Sequence, residues 1–363
     1  MDKKQLLEQF KDFAAGLSKK DRIAILHDSD ADGLSAAVIA AKAVERLSGK
    51  KPVLVLTQGH SPVSIQEQTI AVLKKKKISK LITVDLAVCQ NPETVRKVEK
   101  FARLLVIDHH KLYNNISSKK TVFLNAKFFA SFDPSMYVTS KFCFDLFKEV
   151  VDLRGLEWVA CIGILGDSAL EKWEKFVKAS LKSEKISMAD FEILVGLVGA
   201  VEVVDKTKMK NLFSEFFNAE NPKQLLKSKF LKFSKIVEME KKKILGGFDK
   251  KAEFFPERQL VFFQFESKLG IKSAVINELS SRRFPNSTVI VVQEHEEGFL
   301  TISARRQDFK VRVNDLLEKA VKPLENAFAG GHIPAAGGKI QKSDLKKFKE
   351  NILKELKPQK PKK

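Results

Sequence analysis

The sequence is poor in cysteine, tryptophan and tyrosine, with three, two and two residues in 363. Cys89, Cys143 and Cys161 lie far apart, so they make neither a zinc pattern nor a disulfide framework. A reducing, cytoplasmic setting fits that usage. No apolar run approaches the roughly 20 residues needed to cross a bilayer. The start, Met1-Asp-Lys-Lys-Gln, lacks the apolar core of a signal peptide. A membrane partner is therefore not expected. Acidic residues are in deficit, 45 against 65 Lys and Arg, which gives a formal net charge of +20. Much of the excess sits in runs at 74–77 and 241–243 and in the tail 357–363. Such a balance favours polyanions, nucleic acid foremost, although solvated lysine faces give the same count. Phe is abundant at 28 residues, and at helical core spacing it is read as packing rather than stacking.

The first half of the chain alternates short apolar runs with amphipathic stretches. Strands are expected over 22–27, 52–57, 80–84, 104–107 and 121–124, and helices over 34–47, 64–75 and 92–101. Further helices are expected over 132–152 and 155–165. This alternation implies an α/β fold, a parallel sheet with helices on both faces. From 171 to 250 the pattern is helical and Lys-rich, which reads as a connector. Gly246-Gly247 punctuates it. Strands are then expected over 258–266, 288–293 and 298–304, and helices over 273–283, 314–328 and 343–356. The division expected is a metal-binding catalytic domain at 1–170, a helical connector at 171–250 and a smaller α/β C-terminal domain at 251–356. A disordered basic tail is expected over 357–363.

The chemistry is concentrated in acids at strand ends. His27-Asp28-Ser29-Asp30-Ala31-Asp32-Gly33 puts three carboxylates at alternate positions directly after an apolar strand. Asp85 ends a second apolar run, and Asp108-His109-His110 ends a third. Asp167 follows an apolar helix and Gly166. In an open parallel sheet the C-terminal strand ends share one edge, where sites form. A single such Asp would be read as a helix cap. Three strand ends and a His pair are better explained by convergence on metal. Oxygen and imidazole donors without thiolate suit Mn²⁺ or Mg²⁺. The number of carboxylates points to two ions, and two ions about 3.5–4 Å apart suit in-line displacement at phosphorus by water. In the C-terminal part, the small-residue stretch from Gly330 through Gly331 and His332 to Gly338 reads as a loop that can approach an anion closely. Ser303, Arg305 and Arg306, at a strand end, add hydroxyl and guanidinium donors for phosphate.

These motifs, in this order, resemble the DHH phosphoesterase family. Asp108-His109-His110 is its signature triad, Asp28-Ser-Asp-Ala-Asp-Gly33 resembles its first motif, Val84-Asp85 its second and Gly166-Asp167 its fourth. The 330–338 stretch resembles the GGHxxAAG signature of the DHH-associated C-terminal domain. The DxDxDG form and chain layout are most similar to RecJ-type nucleases, compact archaeal relatives in particular. The resemblance implies a two-metal phosphodiester hydrolase, Mn²⁺ being the expected ion and Mg²⁺ the alternative. It implies Asp30, Asp32, Asp85, His109 and Asp167 as ligands, with Asp85 bridging the two ions and Asp28 as a further ligand. Asp108 would orient a His, and His110 would contact the scissile phosphate. Ser303, Arg305, Gly331 and His332 would grip a terminal phosphate or the strand backbone. Substrates implied are single-stranded DNA or RNA, cut exonucleolytically with the polarity left open, or short oligonucleotides. Other activities in the family are oligoribonuclease, cyclic-dinucleotide phosphodiesterase and, disfavoured by the GGH signature, inorganic pyrophosphatase. Some relatives are replication scaffolds, so replication or repair proteins are conceivable partners, and oligomeric state is left open. Ser29 departs from the family, where Tyr is common, and Leu86-Ala87 replaces a polar-Gly pair.

The remaining histidines carry weaker expectations. His27 could lie near the metals or point away, His60 is read as a surface-loop residue and His295 as part of a solvated turn. Asp133-Pro134-Ser135 is expected to start a helix, with Ser135 and Thr139 as candidates to face substrate.

Overall fold

A computed structural model describes residues 2–58, 63–296 and 298–358, with 295 and 296 described by their backbone alone. His60 and the end of the basic tail fall outside these. The chain divides into two compact units, Met1–Ser234 and Lys235–Lys363.

The first unit opens with α1 (Lys3–Ala15), β1 (Ile23–His27), α2 (Ala31–Ser48), β2 (Leu54–Thr57), α3 (Glu67–Lys75), β3 (Lys80–Val84), α4 (Pro92–Glu99), β4 (Arg103–Asp108) and β5 (Thr121–Asn125). The strands pair in the order β2-β1-β3-β4-β5, all parallel. Both faces of the sheet are covered, as the continuous apolar runs require. Along β1, Ile23 and Ile25 join one core while Ala24 and Leu26 join the other, on the side of α3 and α4. Strand order reverses between β1 and β3, and the carboxyl ends flanking such a reversal form a crevice. The first acidic motif follows β1, and Asp85 follows β3.

Helices complete the unit: α5 (Thr139–Phe147), α6 (Glu157–Gly166), α7 (Leu170–Glu184), α8 (Met188–Asp205), α9 (Met209–Asn218) and α10 (Pro222–Leu225). The long helix expected over 132–152 is shorter. A 3₁₀ turn at Pro134–Met136, capped by Asp133, precedes it, and Val138 has extended backbone. α2 carries alanine at 36, 37, 40, 41 and 43, all fully buried, so α5 and α6 pack closely against it. The segment expected as a connector splits at Ser234: Val177, Phe191, Leu194, Leu197, Leu212 and Phe216 all enter the core of the first unit. Its lysines face outward, and apolar residues at helical spacing face in.

The second unit begins within α11 (Leu231–Gly246) and contains α12 (Phe248–Lys251), β6 (Glu253–Phe255), β7 (Leu260–Glu266), α13 (Lys272–Glu278), β8 (Thr288–Glu296), β9 (Phe299–Arg305), α14 (Val313–Val321), β10 (Phe328–His332), β11 (Ala335–Gln341) and α15 (Leu345–Glu355). Its sheet has the order β10-β11-β9-β8-β7-β6, with β7 and β8 parallel and the other pairs antiparallel. Two expectations are corrected here. The Gly-rich stretch is a β-hairpin, β10 to β11, not a loop. Gly331 has φ +139°, and a side chain there would lie 2.6 Å from the Ala335 carbonyl oxygen. His295 belongs to β8 rather than to a turn.

Candidate metal centre

β1 ends at His27, and the chain turns so that Asp30 caps α2, its Oδ1 accepting from the Gly33 N–H at 2.9 Å. Capping and convergence are thus combined in one residue, since the second oxygen takes no part in the cap. Asp32, in the first turn of α2, is fully buried. Its Oδ2 accepts from Thr139 N–H at 2.6 Å and its Oδ1 from Ser140 N–H at 2.9 Å. The carboxylate therefore sits on the N-terminus of α5, where backbone donors and the helix dipole favour negative charge. Gly163 of α6 faces the same group. A Cβ there would collide with Asp32 Oδ1 and Ser140 Oγ, so only glycine lets α6 approach this closely.

Asp85 leaves β3 with φ +60°, a left-handed conformation that costs on the order of 1 kcal/mol or more outside glycine and is tolerated best by Asp and Asn. Its N–H still pairs with the Ile107 carbonyl of β4 at 3.1 Å, and Thr139 Oγ1 donates to its Oδ1 at 2.9 Å. Thr139 is wholly buried, so it holds Asp85 in place and does not face substrate as expected. Ser135 contributes its carbonyl, which lies 3.1 Å from His109 Nδ1.

That last contact fixes the chemistry of His109. A carbonyl only accepts, so Nδ1 carries the proton and Nε2 presents a lone pair. Nε2 lies 3.4 Å from Asp85 Oδ1 and 3.2 Å from Asp167 Oδ2. Burial, with the neighbouring His110 charge, pushes His109 down to about 3, so the ring is neutral. A lone pair facing two carboxylate oxygens is repulsive unless a cation joins them. Donor atoms of Asp32, Asp85 and His109 all fall within 4.8 Å of one another, as do those of Asp85, Asp108 and His110.

The carboxylates report the same deficit of positive charge. Burial, then the Asp30 charge, raises Asp28 to about 7; burial, then Asp32, raises Asp30 to about 6. Burial and the surrounding Asp32 and Asp30 charges hold Asp85 and Asp167 well above the ordinary range. Asp32 is also raised by burial, against its backbone donors. Donors, electrostatics and neutral imidazole all fit divalent cations. The neighbouring pair behaves oppositely. His110 Nδ1 lies 2.7 Å from Asp108 Oδ1, and Asn125 Nδ2 donates to the His110 carbonyl at 2.9 Å. Burial opposes charge on His110, but Asp108 outweighs it and lifts the ring to about 9. Asp108 is held below its usual range despite burial.

Sequence reasoning did not single out Ser140, Asn125, Gly163 or Glu202. Glu202, on α8, accepts from Ser29 Oγ, and its charge helps raise Asp28 and Asp30. It carries no strand-end signature, because it arrives from a helix distant in sequence. His27 points away from the acids. Its Nδ1 lies 2.6 Å from the Asp28 carbonyl and its Nε2 3.3 Å from Thr57 Oγ1, and burial lowers it to about 4.

In the second unit, register places Ser303, Arg305, Gly337, Gly330 and His332 on one face: Ser303 pairs with Gly337 and Gly337 with Gly330, while Arg305 pairs with Ala335 and Ala335 with His332. Gly331 lies between Gly330 and His332 and so belongs to the opposite face. Arg306 is corrected. It is fully buried, its Nε and Nη2 bind Asp308 at 2.6 and 2.9 Å, and Nη2 also donates to Gln259 Oε1 at 2.7 Å. Its fork is consumed inside the unit and does not serve phosphate.

Comparisons with known proteins agree with this arrangement. A model of the DHH family N-terminal domain matches residues 22–157, and one of the DHHA1 domain matches 260–357. No curated protein matches the sequence. Among solved structures, the DHH domain of a member of the S1p family of ribosomal proteins superposes with a TM-score of 0.76 at 14% identity, over 98% of this chain and 92% of that one. RecJ from Thermus thermophilus, in complex with Mn²⁺, gives 0.70 at 15%, over 97% of this chain and 55% of that one. An exonuclease RecJ bound to manganese gives 0.66 at 15%, over 95% and 93%. At these identities the likeness is one of fold. No helix among the described residues is long and apolar enough to cross a membrane.

Proposed function

Because the chain belongs to the DHH family of phosphoesterases and joins a DHH to a DHHA1 domain, we propose that it hydrolyses single-stranded nucleic acid exonucleolytically, in the manner of RecJ. The observation that carries this reading is the His109 Nε2 lone pair facing the Asp85 and Asp167 oxygens at 3.4 and 3.2 Å. Asp28, Asp30, Asp32, Asp85, His109 and Asp167 would hold two divalent cations, Mn²⁺ or Mg²⁺. When bound, these supply Lewis acidity at the phosphate and activate water for in-line attack.

The protein's own part is positioning and charge. Thr139 Oγ1 and the left-handed backbone fix the Asp85 carboxylate before any ion arrives. The Ser135 carbonyl fixes the tautomer of His109, the outer contact that a ligating imidazole needs. His110, kept protonated by Asp108, donates to a non-bridging phosphate oxygen and offsets the charge that grows there during attack. Ser303, Arg305 and His332 bind a further phosphate of the chain, and Gly330 and Gly337 leave that face low enough for a backbone to approach. The net charge of +20 suits a long polyanion better than a dinucleotide.

The test is digestion of end-labelled single-stranded DNA and RNA with Mn²⁺. Mononucleotides should be released, and EDTA or Asp85→Ala should lower the rate by about a thousandfold or more. Undiminished hydrolysis by Asp85→Ala, or in EDTA, would remove the mechanism.

A further inference from the structure

Most phenylalanines of the first unit are core residues, but Phe132 is not. It is partly exposed and stands outside the hydrophobic clusters of the described residues. It leans on two other partly exposed rings, Tyr137 at 5.9 Å and Trp173 at 5.9 Å, which are themselves 5.3 Å apart. Both supporting rings are pinned. Tyr137 donates its hydroxyl to Asp145 at 2.9 Å, and Trp173 donates Nε1 to the Met136 carbonyl at 2.6 Å. α7 leaves helical geometry at Trp173 (φ −113°, ψ 19°). The ammonium of the exposed Lys172 sits 3.8 Å from the centre of the Phe132 ring. The side chain that covers this face is thus an exposed lysine and not a core residue.

The location ties these rings to the metal centre. Ser135, three residues from Phe132, holds His109 by its carbonyl, and Thr139, two residues from Tyr137, holds Asp85. Trp173 follows Asp167 by six residues. The two segments that carry the aromatic group are thus the ones that position the ligands. A flat, partly exposed ring with a lysine on its face, carried by the segment that holds His109 and Asp85, matches a nucleotide, which offers a π face and an anion together. A bare phosphate chain offers only the anion.

We propose that Phe132, backed by Trp173 and Tyr137, stacks the nucleobase next to the phosphate being cut, with Lys172 swinging from the ring to the backbone. This rests on the phosphodiester reading above and names nucleotides, not inorganic polyphosphate, as its substrates.

The experiment uses the full chain, with Phe132→Ala and Phe132→Trp. Binding is read without divalent metal, in EDTA, by quenching of Trp173 fluorescence; Trp158 is fully buried and gives a constant background. The probes are a short single-stranded oligonucleotide, an abasic oligonucleotide of equal length and inorganic polyphosphate. The base-bearing oligonucleotide should quench and the other two should not, with Phe132→Ala weakening its binding about tenfold and Phe132→Trp restoring it. With Mn²⁺, Phe132→Ala should raise KM for the base-bearing substrate by a similar factor with little change in kcat. Equal losses on base-bearing and abasic oligonucleotides, or no loss on either, would overturn the stacking role. Base-dependent quenching without any hydrolysis would instead sink the nuclease reading and leave the platform standing.

Discussion

Removing or adding divalent cation at different pH tests the metal centre without reference to turnover. Asp30 is raised from 3.8 to about 6 by burial and by Asp32. Between those values the folded chain binds more protons than the unfolded one, so cation-free stability falls as pH rises through that window. Each unit is worth about 1.4 kcal/mol, so ionising Asp30 costs the cation-free fold about 3 kcal/mol by pH 7. Asp28, raised to about 7, adds in the same direction. Bound cations reverse the penalty, because they favour the ionised carboxylates and compete with protons for them. The stabilisation by Mn²⁺, taken as the difference in Tm with and without EDTA, should therefore grow from about pH 5 to about pH 8. About half of that penalty falls above pH 5, so at about 2–4 °C per kcal/mol the Asp30 contribution across this window amounts to about 3–6 °C. Taking the difference at each pH cancels titrating groups far from the site. Circular dichroism melts across the range suffice. A stabilisation that is flat with pH, or larger at the acid end, would refute the claim that these carboxylates are destabilised for want of a cation.

Two further predictions concern single side chains. Without cations, Asp108 foremost and then Asp28 and Asp167 lift His110 to about 9. With cations bound, the Asp28 and Asp167 charges are offset and Asp108 is the main support left; a raised His loses its contribution as pH climbs through its folded value, so the alkaline fall in kcat should begin below pH 9, and Asp108→Asn should move it lower still. NMR titration of the His110 ring checks the shift, and an unmoved value would separate Asp108 from His110. Arg306→Leu should lower stability by about 3 kcal/mol, because it strips the partner from Asp308 and Gln259 inside the second unit. Phosphate binding by that variant should follow folding alone, whereas Arg305→Ala should weaken it in a fully folded chain.

The strands of the first unit were legible because each is an apolar run ending in a polar turn. Lys80–Val84 coincides with its expected bounds, and the others differ by a residue or two. The acids at those ends could be read for the same reason: sheet topology, once parallel, decides where strand ends meet. What could not be read is the contribution of residues whose role is set by tertiary approach. Gly163 carries no local sign that Asp32 lies against it, Glu202 sits on a helix with a uniform apolar pattern, and Asn125 looks like any strand-terminating residue. The Gly-rich stretch misled for a different reason. Glycine marks close backbone approach, but a neighbouring strand and a bound anion need it equally, and here the strand accounts for Gly331. Arg306 fails likewise: it follows the last residue of β9, and its guanidinium is taken up inside the unit by Asp308 and Gln259, so a pair in sequence is a single donor in space. Arg305, still within β9 and in register with Ala335, is the one whose position suits phosphate. The proposed ligand set escapes this ambiguity because its members come from separate strand ends and a helix end, and no local structural need would place an acid at each of them.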